Sequence, residues 1–316
     1  MTARIFVNIA AYRDEDVPNT LESMFATAKG SVRAGVVNQN DGPLDWSPDD
    51  KRVDVVNIDH REAWGVGWAR SLADGFYFDE PYVLQIDAHM RFAPGWDDAL
   101  IADIERIGSK RTILTQGAFD PKHLGQGLQQ FIHSRYWSGW LLHGDYGIGP
   151  TTGKPSITRG WCYGCMIFAP ALWRFEVPHD PTISFYTEEE SLAIRSWTRG
   201  WDIWTPSEGV IGHMERTENM HRKFSDDPGF TSNLCKLTDE RMLRIRQGEY
   251  FGIYGPGDVR STADYWKTID INPGTPKTLD EYFSSVDFRP GTGIADAKIP
   301  GQFTVPNPWT PYRECP

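Results

Sequence analysis

A short apolar run followed by two metal-binding residue types lies between residues 82 and 97. Tyr82 to Ile86 has the composition of a buried strand, and Asp87 and His89 come directly after it. Side chains two positions apart in an extended chain point to the same face, so this carboxylate and this imidazole can reach one cation. The pattern is typical of a divalent metal site at a strand end, and it also fits a helix-capping aspartate followed by an ordinary loop histidine.

Two further groups of residues could act with this pair. Glu188, Glu189 and Glu190 begin an amphipathic helical pattern, where the helix dipole favours acidic residues even without a catalytic role. Because consecutive helical residues point about 100° apart, the three cannot all face one site. His213 is more often a structural residue when taken alone. Combined with Asp87 and His89, it would complete an oxygen and nitrogen ligand set suited to Mn²⁺ or a similar ion.

Alternating strand and helix patterns surround these residues and must position them. Apolar runs predict strands at residues 5–9, 32–38, 53–58, 82–86, 112–116, 202–206 and 210–216, and a strand pair within 157–170. Helical spacing predicts helices at residues 17–28, 63–78, 96–107 and 184–200. Residues 128–142 fit either a helix or an irregular strand. This alternation indicates an α/β protein with a mainly parallel sheet flanked by helices.

Composition excludes some classes of function. The net charge of −11 and the absence of a clustered basic segment argue against a nucleic-acid partner. Cys162 and Cys165 have the spacing of redox or zinc motifs, but no second pair accompanies them, so we expect reduced thiols. The sequence begins directly with a strand pattern and has no apolar run of about 18 residues, so we expect a soluble, cytoplasmic protein without a membrane span.

The character of the chain changes near Gly255-Pro256-Gly257. Residues 1–254 are predicted to form the main domain, and residues 255–316, rich in Pro, Gly and Asp, an irregular extension. Short helical patterns occur there at residues 262–267 and 278–284. We expect this extension to wrap the domain or to contact a second subunit in a homo-oligomer.

The order of the motifs resembles a known enzyme family. Asp87-x-His89 with Gly95-Trp96 comes first, then Glu188 with Arg195-x-Trp197, and then His213-x-x-Arg216. This order is similar to that of the polypeptide N-acetylgalactosaminyltransferases. It resembles more closely the GT-A polypeptide N-acetylglucosaminyltransferases that modify hydroxyproline or threonine, in which an Ala-x-Tyr-Arg-Asp segment follows the first strand, here residues 10–14. The resemblance covers roughly residues 4–220.

The resemblance implies the GT-A fold and a retaining transfer of N-acetylglucosamine from UDP-GlcNAc to a polypeptide hydroxyl. It implies that Asp87, His89 and His213 bind Mn²⁺ or Mg²⁺, and that Glu188 or Glu189 contacts the transferred sugar. The residues that it places around the UDP-sugar are Ala10, Tyr12, Arg13, Asp59, Arg70, Trp161 and Arg216. Thr187 replaces the glycine that usually precedes the glutamate pair, so the sequence leaves open which glutamate faces the sugar.

Other functions fit the same residues. The donor could be another UDP-hexose, or the acceptor a glycan, on an unchanged fold. The three metal-ligand residues could instead activate water in a hydrolase. A non-catalytic protein could use some of the 13 tryptophans as platforms for sugar rings. For the transferase, the resemblance implies that the departing diphosphate takes the acceptor proton, with a glutamate nucleophile as the alternative.

Overall fold

A mixed sheet forms the centre of the chain over the residues that the structure describes. The computed structural model describes residues 3–138, 141–158, 160–185, 187–214 and 232–269. The strands are, in chain order, β1 (Ile5–Tyr12), β2 (Val32–Asn40), β3 (Val53–Asp59), β4 (Tyr82–Ile86), β5 (Met90–Phe92), β6 (Thr112–Thr115), β7 (Leu128–Ser138), β8 (Leu141–Pro150), β9 (Ser156–Ile157), β10 (Met166–Pro170), β11 (Asp202–Thr205) and β12 (Ile211–His213). The helices are α1 (Val17–Thr27), α2 (Val66–Ala73), α3 (Trp96–Ile107), α4 (Leu172–Glu176), α5 (Glu188–Thr198), α6 (Ser232–Arg246) and α7 (Thr262–Thr268).

The main sheet has eight strands in the order β3-β2-β1-β4-β10-β6-β11-β9. Strands β3, β2, β1 and β4 run parallel, so their carboxyl ends meet at one edge of the sheet. Strand β10 is antiparallel to both β4 and β6, and β9 is antiparallel to β11. The prediction of a mainly parallel sheet is confirmed, and the parallel half is the part that carries the metal-ligand pair.

Alternation along β1 sends side chains to two different helical layers. Ile5, Val7 and Ile9 pack in one core cluster with residues of α1 and α3. Phe6 lies on the other face, in a cluster shared with α4 and α5, and Asn8 points to that same side. Helices therefore cover both faces of the sheet, as expected for strands that bury residues on both sides.

Most predicted elements occur with small differences in length. Helix α3 has the predicted bounds, whereas α2 is shorter than the predicted 63–78 and continues as a 3₁₀ turn at Asp74–Phe76. The predicted strand pair within 157–170 is wrong, because β9 pairs with β11 while β10 lies between β4 and β6. In the ambiguous region 128–142, the described residues 128–138 and 141–142 are strand, because they belong to β7 and β8, which pair antiparallel. The sequence reading gave no prediction for α6.

The beginning of the predicted extension packs onto helix α5. The Gly257 amide donates a 2.8 Å hydrogen bond to Thr198 Oγ1, and the amides of Val259 and Arg260 both donate to the Thr198 carbonyl. The predicted short helix at 262–267 is present as α7, and the one predicted at 278–284 lies outside the described residues. Among the helices that the structure describes, none is both long and apolar enough to cross a bilayer.

Candidate active site

Strands β5 and β12 form an antiparallel ribbon that brings His213 beside His89. Met90 pairs with His213 in this ribbon, and the Met214 amide donates a 3.0 Å hydrogen bond to the His89 carbonyl. Met90 and Ile211 are buried in the core, which fixes the register of the ribbon. Two histidines that are far apart in the sequence therefore meet just beyond the carboxyl end of β4.

Asp87, His89 and His213 place potential ligand atoms within 4.8 Å of one another. The Nε2 atoms of the two histidines are 3.0 Å apart, and Asp87 Oδ2 lies 3.5 Å from His213 Nε2. Two ligands at right angles, each about 2.1 Å from an octahedral ion, would be about 3.0 Å apart. The three side chains, each partly exposed, therefore fit one divalent cation with oxygen and nitrogen ligands.

Asp14 orients the His89 ring from behind. Its Oδ2 atom lies 2.7 Å from His89 Nδ1, which leaves Nε2 of that ring to face His213. Asn40 fixes Asp14 in turn, because its side chain accepts a 2.9 Å hydrogen bond from the Asp14 amide and donates a 3.1 Å bond to the Asp14 carbonyl. A carboxylate that holds the second nitrogen of a ligating histidine is a common feature of metal sites. The sequence analysis gave Asp14 no role, although the residue belongs to the quoted 10–14 segment.

The Arg70 guanidinium connects the metal cluster to the first turn of α5. Its Nη2 atom donates to Asp87 Oδ1 at 3.1 Å, its Nε atom lies 2.8 Å from Glu188 Oε1, and its Nη1 atom donates to the Ile86 carbonyl at 3.0 Å. The Arg70 side chain is only 1% exposed. Arg70 was expected around the UDP-sugar, but in this structure its buried guanidinium contacts two carboxylates and a carbonyl.

The three glutamates of the acidic turn point in three directions. Glu188 contacts Arg70 and accepts a 3.0 Å hydrogen bond from Gln85. Glu189 accepts a 2.8 Å hydrogen bond from the Gly164 amide. Glu190 points away and forms a buried bidentate ion pair with Arg246 of α6, with N–O distances of 2.7 and 2.6 Å. Helical geometry thus leaves Glu188 and Glu189 beside the metal cluster and gives Glu190 a structural role.

The carboxyl groups around this site differ in their acidity. Burial raises the pKa of Asp87, but the hydrogen bond from His213 and the charge of Arg70 outweigh it and hold that pKa well below its usual range. Burial raises the pKa of Glu189 to about 8, and the nearby charges of Glu188 and Asp87 act in the same direction. Asp87 is therefore ionised at neutral pH and ready to bind a cation, whereas Glu189 mostly keeps its proton.

A cleft of about 600 Å³ opens next to Asp14. Its walls are the loops that follow β1 and β2, and the lining residues are Arg13, Asp14, Glu15, Pro18, Asn40, Asp41, Gly42, Pro43, Leu44 and Asp45. Arg13 adopts the left-handed conformation with φ 49°, which is uncommon for a residue with a side chain. The cleft is large enough for a small-molecule ligand, and Asp14 in its wall contacts His89 of the metal cluster.

The other residues expected around the nucleotide lie at different distances from this cleft. The Tyr12 ring contacts His60 edge to face, and His60 Nε2 lies 2.9 Å from Asp41 Oδ1 in the cleft wall. Ala10 packs beneath, against the core cluster around Val37. Asp59 caps the 3₁₀ turn after β3 and pairs with Arg61, so it does not line the cleft.

We expected Trp161 beside the UDP-sugar, but it lies in the core. Trp161 is fully buried, with its ring edge to face against Tyr163, and offers no exposed face for a sugar in this structure. The indole packs in the core cluster that contains α5, which explains why a tryptophan occurs there. Arg216 lies outside the described residues.

Comparison with known proteins identifies the family. A family model described as Glycosyltransferase (GlcNAc) matches residues 4–49 and 45–289, which together cover most of the chain. The chain belongs to this glycosyltransferase family. Membership shows that the protein is an enzyme of the transferase class rather than a hydrolase or a non-catalytic sugar-binding protein. A search of curated proteins gave no match.

One solved structure shows which fold this glycosyltransferase has. GalNAc-T7, crystallised with UDP, GalNAc and Mn²⁺, matches with a TM-score of 0.53 and 14% identity over 78% of this chain and 50% of that chain. Residues 1–349 of S. aureus TarS match with a TM-score of 0.46 and 12% identity, over 89% of this chain and 72% of that one. The mannosyltransferase PcManGT from Pyrobaculum calidifontis, crystallised with GDP-Man and Mn²⁺, has a TM-score of 0.44, 11% identity and coverages of 70% and 59%. The protein has the GT-A fold, and it spans half the length of the GalNAc-T7 chain that it matches.

Proposed function

We propose that this protein is a metal-dependent, retaining glycosyltransferase that moves N-acetylglucosamine from UDP-GlcNAc to a hydroxyl group of threonine, serine or hydroxyproline in a polypeptide. The observation that carries the proposal is the meeting of Asp87, His89 and His213 between a cleft and the acidic turn of α5. The GlcNAc family supports the donor sugar, and the UDP and Mn²⁺ in the GalNAc-T7 structure support the nucleotide and the ion.

In this proposal the donor nucleotide lies in the cleft beside Asp14. Arg13 and the Tyr12–His60 contact would provide polar and aromatic groups for the uridine, with Asp41 close to both. The diphosphate would then extend from the cleft towards the three metal ligands. A Mn²⁺ or Mg²⁺ ion held by these ligands would supply Lewis acidity that stabilises the negative charge developing on the departing UDP.

The transferred sugar would lie next to Glu188 and Glu189. Because Arg70 and Gln85 both contact Glu188 Oε1, that carboxylate is held in place and can accept hydrogen bonds from sugar hydroxyls through Oε2. Glu189, whose pKa is raised to about 8, is mostly protonated at neutral pH and is therefore a poor nucleophile. We therefore propose front-face transfer without a Glu189 nucleophile, in which the acceptor oxygen bonds to the anomeric carbon as the bond to diphosphate breaks. The acceptor proton passes to the leaving diphosphate oxygen.

The direct test measures the transfer of sugar from UDP-GlcNAc with Mn²⁺ and again in excess chelator. We expect turnover only with the metal, and we expect Asp87→Asn to lower the rate more than about 100-fold because the ligand charge is lost. Asp98→Asn is the matched control, since Asp98 is a half-exposed aspartate on α3 that pairs with Arg4. Equal turnover by the wild type in chelator would exclude the proposal.

A panel of donors and acceptors tests the proposed donor sugar and the proposed acceptor. UDP-GlcNAc, UDP-GalNAc and UDP-glucose should be compared at the same concentration with hydroxyproline-, threonine- and serine-containing peptides. A preference for another UDP-hexose, or transfer only to a glycan, would keep the enzyme class and replace the proposed substrate. The cytoplasmic location and a homo-oligomer through residues 255–316 stay predictions.

A further inference from the structure

A buried chain of hydrogen bonds leads from the second face of the sheet to the proposed sugar site. His179 lies after α4, with Nδ1 2.8 Å from Asp74 Oδ2 and Nε2 2.6 Å from Gln85 Oε1. Asp74 also accepts a 2.8 Å hydrogen bond from Asn8, and its carbonyl accepts one of 2.6 Å from Arg174. The members of this chain, including Arg174, are all less than a tenth exposed. None of them had a role in the sequence analysis.

The partners of Gln85 determine the orientation of its amide. Gln85 Nε2 donates to the Gly164 carbonyl at 2.7 Å and to Glu188 Oε1 at 3.0 Å. Both of these atoms are acceptors, so the amide nitrogen must face them and the amide oxygen must face His179. His179 Nε2 therefore carries a hydrogen.

The partners of His179 determine its protonation in the same way. Its Nδ1 atom faces Asp74 Oδ2, while the other oxygen of that carboxyl accepts the hydrogen bond from Asn8 and has the Arg174 guanidinium 3.8 Å away, so these neighbours favour the ionised carboxylate. An ionised carboxylate only accepts hydrogen bonds, so Nδ1 also carries a hydrogen. With both ring nitrogens donating, His179 is an imidazolium buried between Asp74 and Gln85. The charges facing the ring are those of Asp74 and, behind it, Arg174, while Trp173 contacts the ring edge to face.

Gln85 links this imidazolium to both glutamates of the proposed sugar site. On one side it holds Glu188 Oε1. On the other side it holds the carbonyl of Gly164, whose amide donates to Glu189 Oε1 at 2.8 Å. A flipped Gln85 amide would place an oxygen against Glu188 and against the Gly164 carbonyl, which is repulsive in both cases. The orientation of a single buried amide therefore decides whether both contacts exist.

We propose that His179 is a positioning residue for sugar transfer: its imidazolium fixes the Gln85 amide in the one orientation that holds Glu188 and Gly164. The inference rests on the proposed function, because it assigns a supporting group to the proposed sugar site. It predicts that His179 affects the rate of transfer more than the binding of the donor, since the uridine cleft lies on the other side of the metal cluster.

Steady-state kinetics of three variants tests this proposal. His179→Met removes both donors, Gln85→Met removes the amide, and His179→Gln restores a single N–H donor. We expect each Met variant to lower kcat about tenfold or more with KM for UDP-GlcNAc changed less than about threefold. The double Met variant should be no slower than Gln85→Met alone, because the two residues act through one contact. His179→Gln should recover most of the lost kcat.

A structural control separates positioning from general destabilisation. Thr112→Val removes a hydrogen bond of another buried side chain, the 3.0 Å bond that Thr112 donates to the Ser109 carbonyl at the start of β6, and should lower the melting temperature with little change in kcat. If the losses from His179→Met and Gln85→Met multiply, or if His179→Gln is as slow as His179→Met, the positioning role is refuted.

The protonation of His179 can be tested by NMR, without an activity assay and without the Met variants. In a ¹⁵N-histidine-labelled wild type, we expect signals from a histidine with hydrogens on both ring nitrogens that disappear in His179→Gln. A spectrum that shows only one protonated nitrogen at His179 would overturn the inference. Failure of the proposed function would appear in a different measurement, the transfer assay, in which the wild type would show no transfer or transfer that does not require the metal.

Discussion

At the scale of single residues, the acidic turn of α5 separates catalysis from stability within three consecutive glutamates. Glu188 and Glu189 face the metal cluster, whereas Glu190 is paired with Arg246 and both side chains of this pair are 1% exposed. The 100° step between helical residues predicted that the run would be divided, but not which members would face the site. The direction of each glutamate is set by its partner, which is Gln85 for Glu188, Gly164 for Glu189 and α6 for Glu190. These are long-range contacts that the local sequence does not reveal.

Glu188→Gln and Glu190→Gln form a matched pair of variants that tests this division. Glu188→Gln should lower kcat more than about 100-fold, because the neutral amide loses the charge attraction to Arg70 and puts an NH2 group where Oε2 would accept hydrogen bonds from the sugar. Glu190→Gln should lower the free energy of unfolding by about 3–5 kcal/mol, because it removes the carboxylate charge that is paired with the buried guanidinium of Arg246. Urea unfolding and the kcat of the folded fraction measure the two effects. A larger loss of kcat in Glu190→Gln than in Glu188→Gln would contradict the assignment.

The raised pKa of Glu189 predicts how stability depends on pH. The unfolded chain releases this proton near pH 4.5, whereas the folded protein keeps it until about pH 8. The contribution of Glu189 protonation to the free energy of unfolding is therefore complete below pH 4.5 and is lost above about pH 8. Between these values it decreases by up to about 1.4 kcal/mol per pH unit as the pH rises. Urea unfolding measures the free energy of unfolding at each pH in this range. When it is plotted against pH, the slope for the wild type should be more negative than the slope for Glu189→Gln by this amount. Parallel curves would show that Glu189 titrates normally.

At the scale of elements, the site depends on contacts that join α2 to the segment before α5. The amides of Val66 and Gly67, at the start of α2, donate to the carbonyls of Ser184 and Ile183 at 2.7 and 3.0 Å. These bonds satisfy donors that have no partner within the helix. They also fix the distance between α2, which carries Arg70, and α5, which carries Glu188.

Gly67→Ala should disrupt this junction. A Cβ atom at Gly67 would lie 2.2 Å from the Asp180 carbonyl oxygen and 2.6 Å from that of Ile183, so the backbones must separate. We expect a loss of about 1–3 kcal/mol in stability together with a reduced kcat, because Arg70 and Glu188 move apart. Gly149→Ala is the matched control, since a Cβ there meets only the Phe131 ring, at an ordinary 3.6 Å. Similar melting temperatures and rates for the two variants would rule out the coupling.

The same scale shows how far the sequence predicts the fold. Apolar runs located β1 to β4 and α3 well, because each is bounded by polar or turn residues that local patterns reveal. The direction of β10 could not be predicted, since a short apolar run is the same in a parallel and an antiparallel strand. His213 was correctly grouped with Asp87 by residue type, but the reason for their meeting, the pairing of β5 with β12, is a long-range contact. Trp161 was expected around the UDP-sugar but is buried in the core. The residue type alone does not distinguish a tryptophan that binds a ligand from one that packs in the core.

At the scale of the whole molecule, an acidic protein must bind an anionic donor. The net charge is −11, and the cleft is lined by Asp14, Glu15, Asp41 and Asp45 with Arg13 as its basic group. Arg70 is occupied by carboxylates, so within the described residues the metal cluster is the main place where positive charge can be added. Nucleotide and cation should therefore bind cooperatively, each reducing the repulsion that the other would meet.

Thermal unfolding measures this cooperativity directly. A ligand that binds only the folded state at 100 times its Kd stabilises it by about 2.7 kcal/mol, which corresponds to a rise in melting temperature of roughly 5 °C for a chain of this size. We expect such a rise with UDP and Mn²⁺ together, and a much smaller one with either alone. The melting temperature of Asp87→Asn should not rise when UDP and Mn²⁺ are added together. If the cleft recognises uridine, GDP with Mn²⁺ should raise the melting temperature of the wild type less than UDP with Mn²⁺ does. A full shift with UDP in the presence of chelator would mean that the nucleotide binds without the cation, and the electrostatic reasoning for this site would fail.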